Sequence, residues 1–211
     1  MNQTDDLLQK TNASPIVAAD PADDVIAARL LALLETRSRV VVAVDGNCCA
    51  GKTTLAERLR VRLDATVFHM DDFFLQPQMR SIERLQTPGG NVDAERFLRD
   101  VLLPLSRGES VSVVRYDCKE DRLLEPETVE PTAVCLVEGA YSLHPLLAPY
   151  YDLKVFFCRV DPALQLDRIR KRNGSAQLPV FQNRWIPLEN AYFEAYQIEQ
   201  NCDLVIDSVQ K

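Results

Sequence analysis

Eight residues constrain this chain more than any others: Gly46-Asn47-Cys48-Cys49-Ala50-Gly51-Lys52-Thr53. Before them runs Val40-Val41-Val42-Ala43-Val44, a continuous apolar stretch of the kind that forms a strand buried on both faces. After them Leu55, Leu59 and Leu63 recur at helical spacing, which predicts a helix from about 51 to 63. Strand, glycine-bracketed turn and helix in that order gather several backbone N–H groups and the positive end of a helix at one point. The run fits G-x-x-x-x-G-K-[ST] in full, which about one random chain of this length in a hundred would do by chance. Its flanking strand and helix make a chance match rarer still.

Such a loop wraps phosphate oxygens in backbone N–H groups. Gly46, Asn47, Cys48, Cys49, Ala50, Gly51, Lys52, Thr53 and Thr54 form the candidate nucleotide-binding set. Lys52 can reach β and γ phosphates, and the Thr53 hydroxyl is placed to bind Mg²⁺. Asp45, just before the loop, reads equally as an orienting group for Lys52 or the metal shell and as a plain strand end.

Elsewhere strands and helices alternate. Residues 1–19 read as a loose tail, and Asp20-Pro21 as the capped start of a helix reaching about Arg37. Strands are predicted at 66–69, 111–116, 134–137, 153–158 and 204–206, and helices at 94–106, 162–172 and 187–200. The stretches 76–93, 117–131 and 173–179 read as loops. This alternation predicts an α/β fold of the P-loop NTPase kind, a mostly parallel sheet with helices on both faces. It would form one domain over 20–211, with a small lid near 165–180.

Ligands on such sheets bind at the carboxyl ends of the strands, and two of those ends carry acids: Asp71-Asp72 and Glu138. Phosphoryl transfer needs one group to hold Mg²⁺ and another to accept the acceptor's proton, and carboxylates serve for both. Aspartates in such places also cap helices. Arg168, Arg170, Lys171 and Arg172 crowd one helix, with Arg168 and Arg172 four apart on one face. They can close over a triphosphate as a lid or form a solvated face.

The net charge of −7 gives no sign of a nucleic-acid or membrane surface. Six cysteines without CxxC spacing, beside only two histidines, point to reduced thiols rather than a zinc or disulfide framework. The N-terminus has no signal-peptide pattern and no apolar run approaches the length of a membrane span, so a cytoplasmic protein is expected. A homo-oligomer is left open.

The order of motifs resembles the uridine kinase family of P-loop kinases, with its phosphoribulokinase and nicotinamide riboside kinase relatives. The residues carrying the resemblance are Gly46–Thr54, Asp71-Asp72-Phe73-Phe74, Asn91-Val92-Asp93, Tyr116-Asp117, Val137-Glu138-Gly139 and Arg168–Arg172, spread over about 40–207. The resemblance implies phosphorylation of a nucleoside 5′-hydroxyl, uridine or cytidine first, by ATP or GTP with Mg²⁺. Asp71 would be the general base, Thr53 and Glu138 the metal ligands, and Lys52, Arg168 and Arg172 the transition-state cations. Phe74, Asp93 and Tyr116 would join Asp71 in binding the acceptor, with Asp93 on the ribose and Tyr116 at the base. The family's base-contacting His after Tyr-Asp is missing; the stretch reads Cys118-Lys119-Glu120-Asp121-Arg122. Glu120 and Asp121 could there favour a cationic base such as nicotinamide, or simply face water. Other acceptors, such as nicotinamide riboside or a pantothenate-like alcohol, stay open. A regulatory nucleotide switch fits less well, since guanine switches carry Asn-Lys-x-Asp and no Asn-Lys pair occurs.

Overall fold

The computed structural model describes residues 15–18, 22–158 and 160–207. Strand β1 (Ile16–Ala18) leads to helix α1 (Ala22–Leu34), strand β2 (Val40–Gly46), helix α2 (Lys52–Leu63) and strand β3 (Thr66–His69). Helix α3 (Ile82–Gln86) and helix α4 (94–107, with a π-helical middle at Leu98–Leu102) follow. Four short strands come next, β4 (Val111–Val113), β5 (Tyr116–Asp117), β6 (Arg122–Leu123) and β7 (Glu127–Val129). The chain closes with β8 (Val134–Glu138), β9 (Leu153–Cys158), α5 (Pro162–Asn173), α6 (178–195) and β10 (Leu204–Asp207).

The main sheet has six strands in the order β1-β10-β9-β2-β8-β3, every neighbouring pair parallel. All seven residues of β2 are buried, as an apolar run between two helical layers requires. Its side chains alternate between layers. Val40, Val42 and Val44 pack with Ile26 and Leu30 of α1 and with Leu55 and Leu59 of α2. Val41 and Ala43 pack with Phe97, Val101 and Leu102 of α4 and with Tyr192 of α6. Two cores, one on each face, thus fix the central strand, and the ends of β2, β3 and β8 share one rim.

Gly46 closes β2 where no other residue fits. Its φ is +138°, and a Cβ there would lie 2.4 Å from the carbonyl oxygen of Phe157 on β9.

Several expectations are revised. Ile16–Ala18, within the expected tail, pairs with β10 as an edge strand (Ile16 opposite Val205), whereas residues 1–14 and the Asp20-Pro21 cap lie outside the described residues. The expected loop at 76–93 contains α3, whose start is capped by the Ser81 hydroxyl accepting the Arg84 N–H at 3.1 Å. The expected strand 111–116 breaks into β4 and β5, and the charged loop 117–131 supplies their antiparallel partners β7 and β6. Pairing of half-exposed hairpins leaves no long apolar run to read. Helix α6 starts at 178 rather than 187. Pro179 sits in its first turn, where a missing N–H costs nothing, and a π-helical turn at Phe181–Trp185 leads into Pro187.

Candidate active site

The loop after β2 folds back on itself. Gly51 at φ +112° and Cys49 at φ +60° turn the backbone, and Lys52 Nζ donates to the carbonyls of Gly46 and Asn47 at 2.8 Å each. Asp45 is fully buried and holds the surroundings of this loop together. Its Oδ1 accepts the N–H groups of Gly46 (2.7 Å) and Tyr141 (3.0 Å). Its Oδ2 accepts the N–H of Leu143 and the hydroxyl of Tyr192, both at 2.8 Å. Burial pushes the Asp45 carboxyl up, and the donors of Leu143 and Gly46, with the charge of Lys52, pull the other way. Of the readings open in the sequence, the geometry favours a structural tie: this carboxylate joins β2, the loop after β8 and α6.

A cleft of about 970 Å³ opens over the rim, walled on its far side by α5 and α6. Thr53 Oγ1 lies 3.3 and 3.1 Å from the two carboxylate oxygens of Glu138, and His69 Nδ1 lies 2.6 Å from Glu138 Oε1. Burial opposes ionisation of Glu138, but the hydrogen bond and charge of His69, with Lys52 and Thr53, outweigh it and hold the carboxyl below its ordinary range. The pair therefore offers hard oxygen donors with a negative charge. No group of three or more His, Cys, Asp or Glu among the described residues could hold a metal alone. The oxygens of Thr53 and Glu138 would fit Mg²⁺, which takes one or two protein oxygens and completes its shell from phosphates and water.

Asp71 follows β3 and lines the same cleft. It opens to the cleft but is crowded by protein elsewhere, and this desolvation pushes its carboxyl up. Lys52 opposes the shift and Glu138 adds to it. Asp72 points elsewhere, to Arg115 at 3.2 Å. Arg168 and Arg172 line the cleft, Arg168 donating to the Cys49 carbonyl at 3.1 Å, while Lys171 bonds Asp167 at 2.7 Å away from it. Phe74 lines the cleft too, its ring 6.1 Å from that of Trp185 on α6.

Two expected acceptor residues are not among the cleft's lining. Asp93 is buried at the start of α4, where it accepts the Arg96 N–H at 3.0 Å and pairs with Arg96 Nε at 3.2 Å. The Tyr116 hydroxyl is engaged by Arg80 (2.7 Å) and by Asp121. This clasp also uses up Asp121, and Glu120 is exposed outside the lining. Asn47 turns its side chain to Asn190 at 3.2 Å. In their place the cleft presents Asn91, Tyr141, Phe181, Trp185 and Glu189. Asn91 lies inside a quoted motif and Glu189 inside the helix expected at 187–200, whereas Phe181 and Trp185 fall between the expected loop and that helix, and Tyr141 follows β8 with no motif of its own.

No protein-family model matches the chain. It is 26% identical over 145 residues to uridine kinase-like protein 4 of Arabidopsis thaliana, covering 65% of this chain and 30% of that protein. It therefore spans less than a third of that relative's length. It is 24% identical over 194 residues to the uridine kinase of Mycoplasma pneumoniae, covering 82% and 87% of the two chains. Among solved structures, a possible uridine kinase from Bacillus stearothermophilus superposes with a TM-score of 0.65 at 23% identity, over 88% of this chain and 99% of that one. The chain has a uridine kinase-like P-loop kinase fold. Among the described residues of this P-loop fold, no helix is long and apolar enough to cross a membrane.

Proposed function

We propose that this chain transfers the γ-phosphate of ATP or GTP to the 5′-hydroxyl of a nucleoside, with uridine and cytidine the first candidates. One observation carries the reading: a single cleft collects Lys52, the Thr53–Glu138 pair, Asp71 and the two guanidinium groups of α5. Those are the parts phosphoryl transfer requires. Asp71, its basicity raised by desolvation, accepts the acceptor's proton as its oxygen bonds phosphorus and the bond to the β-phosphate oxygen breaks. Lys52, Arg168 and Arg172 meet the charge spread over the transferred group. Thr53 and Glu138 would hold Mg²⁺, which supplies further neutralisation on the β and γ oxygens.

A second reading keeps the transfer and changes the acceptor to nicotinamide riboside or another small alcohol. It is favoured by the Arg80–Tyr116–Asp121 clasp, which removes the expected base-contacting tyrosine from the cleft. The test is ADP release with ATP and Mg²⁺ across uridine, cytidine, adenosine, nicotinamide riboside and pantothenate. Turnover confined to pantothenate would reject the nucleoside reading. No turnover of any alcohol, with hydrolysis of ATP alone, would reject both.

A further inference from the structure

Helices α5 and α6 grip the phosphate loop at one residue, Cys48. Glu189 on α6 accepts its N–H at 2.9 Å, and Gln165 on α5 donates through Nε2 to its carbonyl at 3.0 Å. Gln165 is buried, and its helix also carries Arg168 and Arg172. The Ala50 N–H donates to the Asn47 carbonyl at 3.2 Å across a turn with Cys48 and Cys49 at its centre. Cys49 has φ +60°, whereas the φ of Cys48 is not positive. That is the pattern of a type II turn, whose third residue needs a left-handed φ and is ordinarily glycine.

A type II turn becomes type I when its central peptide turns over, and the two types differ mainly in which way that peptide points. Type I leaves its third residue at negative φ, so a cysteine there by itself favours the flipped form. The bond from Gln165 opposes the flip, because it engages the carbonyl that would swing away. Gln165 is not part of the cleft's lining; with Asn47 it lines a second cavity of about 360 Å³. The Cys48 carbonyl therefore faces away from the cleft, and the Cys49 N–H, at the opposite edge of the same trans peptide, faces toward it. That N–H donates to none of the described residues, which leaves it for a phosphate oxygen. In the flipped form a carbonyl oxygen would take its place and repel the phosphate.

We propose that Gln165 is a positioning residue for the phosphate donor: it holds the Cys48–Cys49 peptide in the orientation that points an N–H, not a carbonyl, at the triphosphate. The helix that carries the two cleft arginines thereby also sets the loop, with Arg168 bonding the next carbonyl, that of Cys49, at 3.1 Å. Only the unflipped fraction binds, so apparent affinity falls in proportion to it. This rests on the proposed use of a nucleoside triphosphate as donor but not on which acceptor is phosphorylated.

The experiment measures, by calorimetry, the Kd of a non-hydrolysable ATP analogue with Mg²⁺ for the wild type, Gln165→Leu and Gln165→Met, each also in a Cys49→Gly background. Both Gln165 variants remove the donor, so either one serves if the other fails to fold. Gln165→Leu should weaken binding at least about tenfold, the mark of a loop flipped about nine-tenths of the time. In the Cys49→Gly background the same change should cost less than about threefold, because glycine accepts a left-handed φ and keeps the turn in type II without help. Ile169→Val, at a fully buried position of the same helix, lowers stability and should leave the Kd within about twofold, which separates loop geometry from general loosening of α5. Binding by Gln165→Leu and Gln165→Met within about twofold of wild type would overturn the proposal while leaving the nucleotide-donor reading intact. An equal loss with cysteine or glycine at 49 would make Gln165 a packing residue of α5 and overturn it too. A wild type that binds no analogue would overturn the donor reading itself, and the proposal with it.

Discussion

Asp45→Asn isolates the tie beneath the phosphate loop. The carboxylate takes four donors, two on each oxygen, and the residue is completely buried. An asparagine has one oxygen to offer. If that oxygen stays in the Oδ1 place, Gly46 and Tyr141 keep their acceptor, Tyr192 turns to accept, and the Leu143 N–H faces an amide with no acceptor. The opposite orientation strands two backbone N–H groups, so the first is cheaper. One unsatisfied buried donor costs about 1–3 kcal/mol, and two bonds changing from a charged to a neutral acceptor lose about 1 kcal/mol each. Burial disfavours the charge that is removed, which returns part of this. The expected loss is about 2–3 kcal/mol, read as a lower urea midpoint with an unchanged slope. For a chain of this size each kcal/mol is worth about 2–4 °C in Tm, so the melting point should fall about 4–12 °C. Tyr192→Phe, which removes one bond of the four, should lose about 1 kcal/mol. Affinity for an ATP analogue should fall more in Asp45→Asn than in Tyr192→Phe, because only the former touches the Gly46 N–H. A stability within about 0.5 kcal/mol of wild type for Asp45→Asn would refute the reasoning.

Lys52→Ala should lower kcat/KM by at least about two orders of magnitude, as expected for one lost electrostatic contact to the transition state, checked by steady-state ADP release. Asp71→Asn should cut kcat by about 10²–10⁴ with ATP affinity nearly unchanged, whereas Asp72→Asn, whose partner is Arg115, should retain turnover; the reverse pattern would place the base one residue later. Burial pushes the Glu189 carboxyl up to about 7, so the folded chain holds a proton there that the unfolded chain releases near its ordinary value of 4.5. The folded state then binds more protons between those values, and stability is lost as pH rises through them, by about 3 kcal/mol in all. Urea midpoints at pH 5 and pH 8 should show Glu189→Gln gaining on the wild type at the higher pH; parallel behaviour would mean that Glu189 is ionised throughout.

What was legible in the sequence follows from how each feature is encoded. The phosphate loop, the buried strands 40–46, 134–138 and 153–158, and the rim acids Asp71 and Glu138 depend on local pattern: an apolar run, a glycine spacing, an acid at a strand's end. Parallel pairing then brings those ends together without further information, because a strand buried on both faces can hardly sit elsewhere. The acceptor wall is encoded differently. Asp93 stands where the family motif expects a ribose contact, but Arg96, three residues on, shares its helix face and captures it, a pairing that competes with ligand binding and leaves no trace in a motif. Tyr116 is drawn away by Arg80, 36 residues earlier in the chain. Glu189 falls within the helix expected at 187–200, but its bond to the Cys48 N–H joins residues 141 apart and has no local pattern to announce it. Phe181 and Trp185 lie between the loop read at 173–179 and the helix read at 187–200, in a π-helical turn that neither pattern covers. Motif order thus carries the phosphate chemistry, which uses backbone and rim, while acceptor choice depends on long-range pairings that decide which polar side chains remain unsatisfied. Asp93 and Tyr116 are spent in pairings of their own, so substrate selectivity in this chain should follow the side chains that do line the cleft rather than these two.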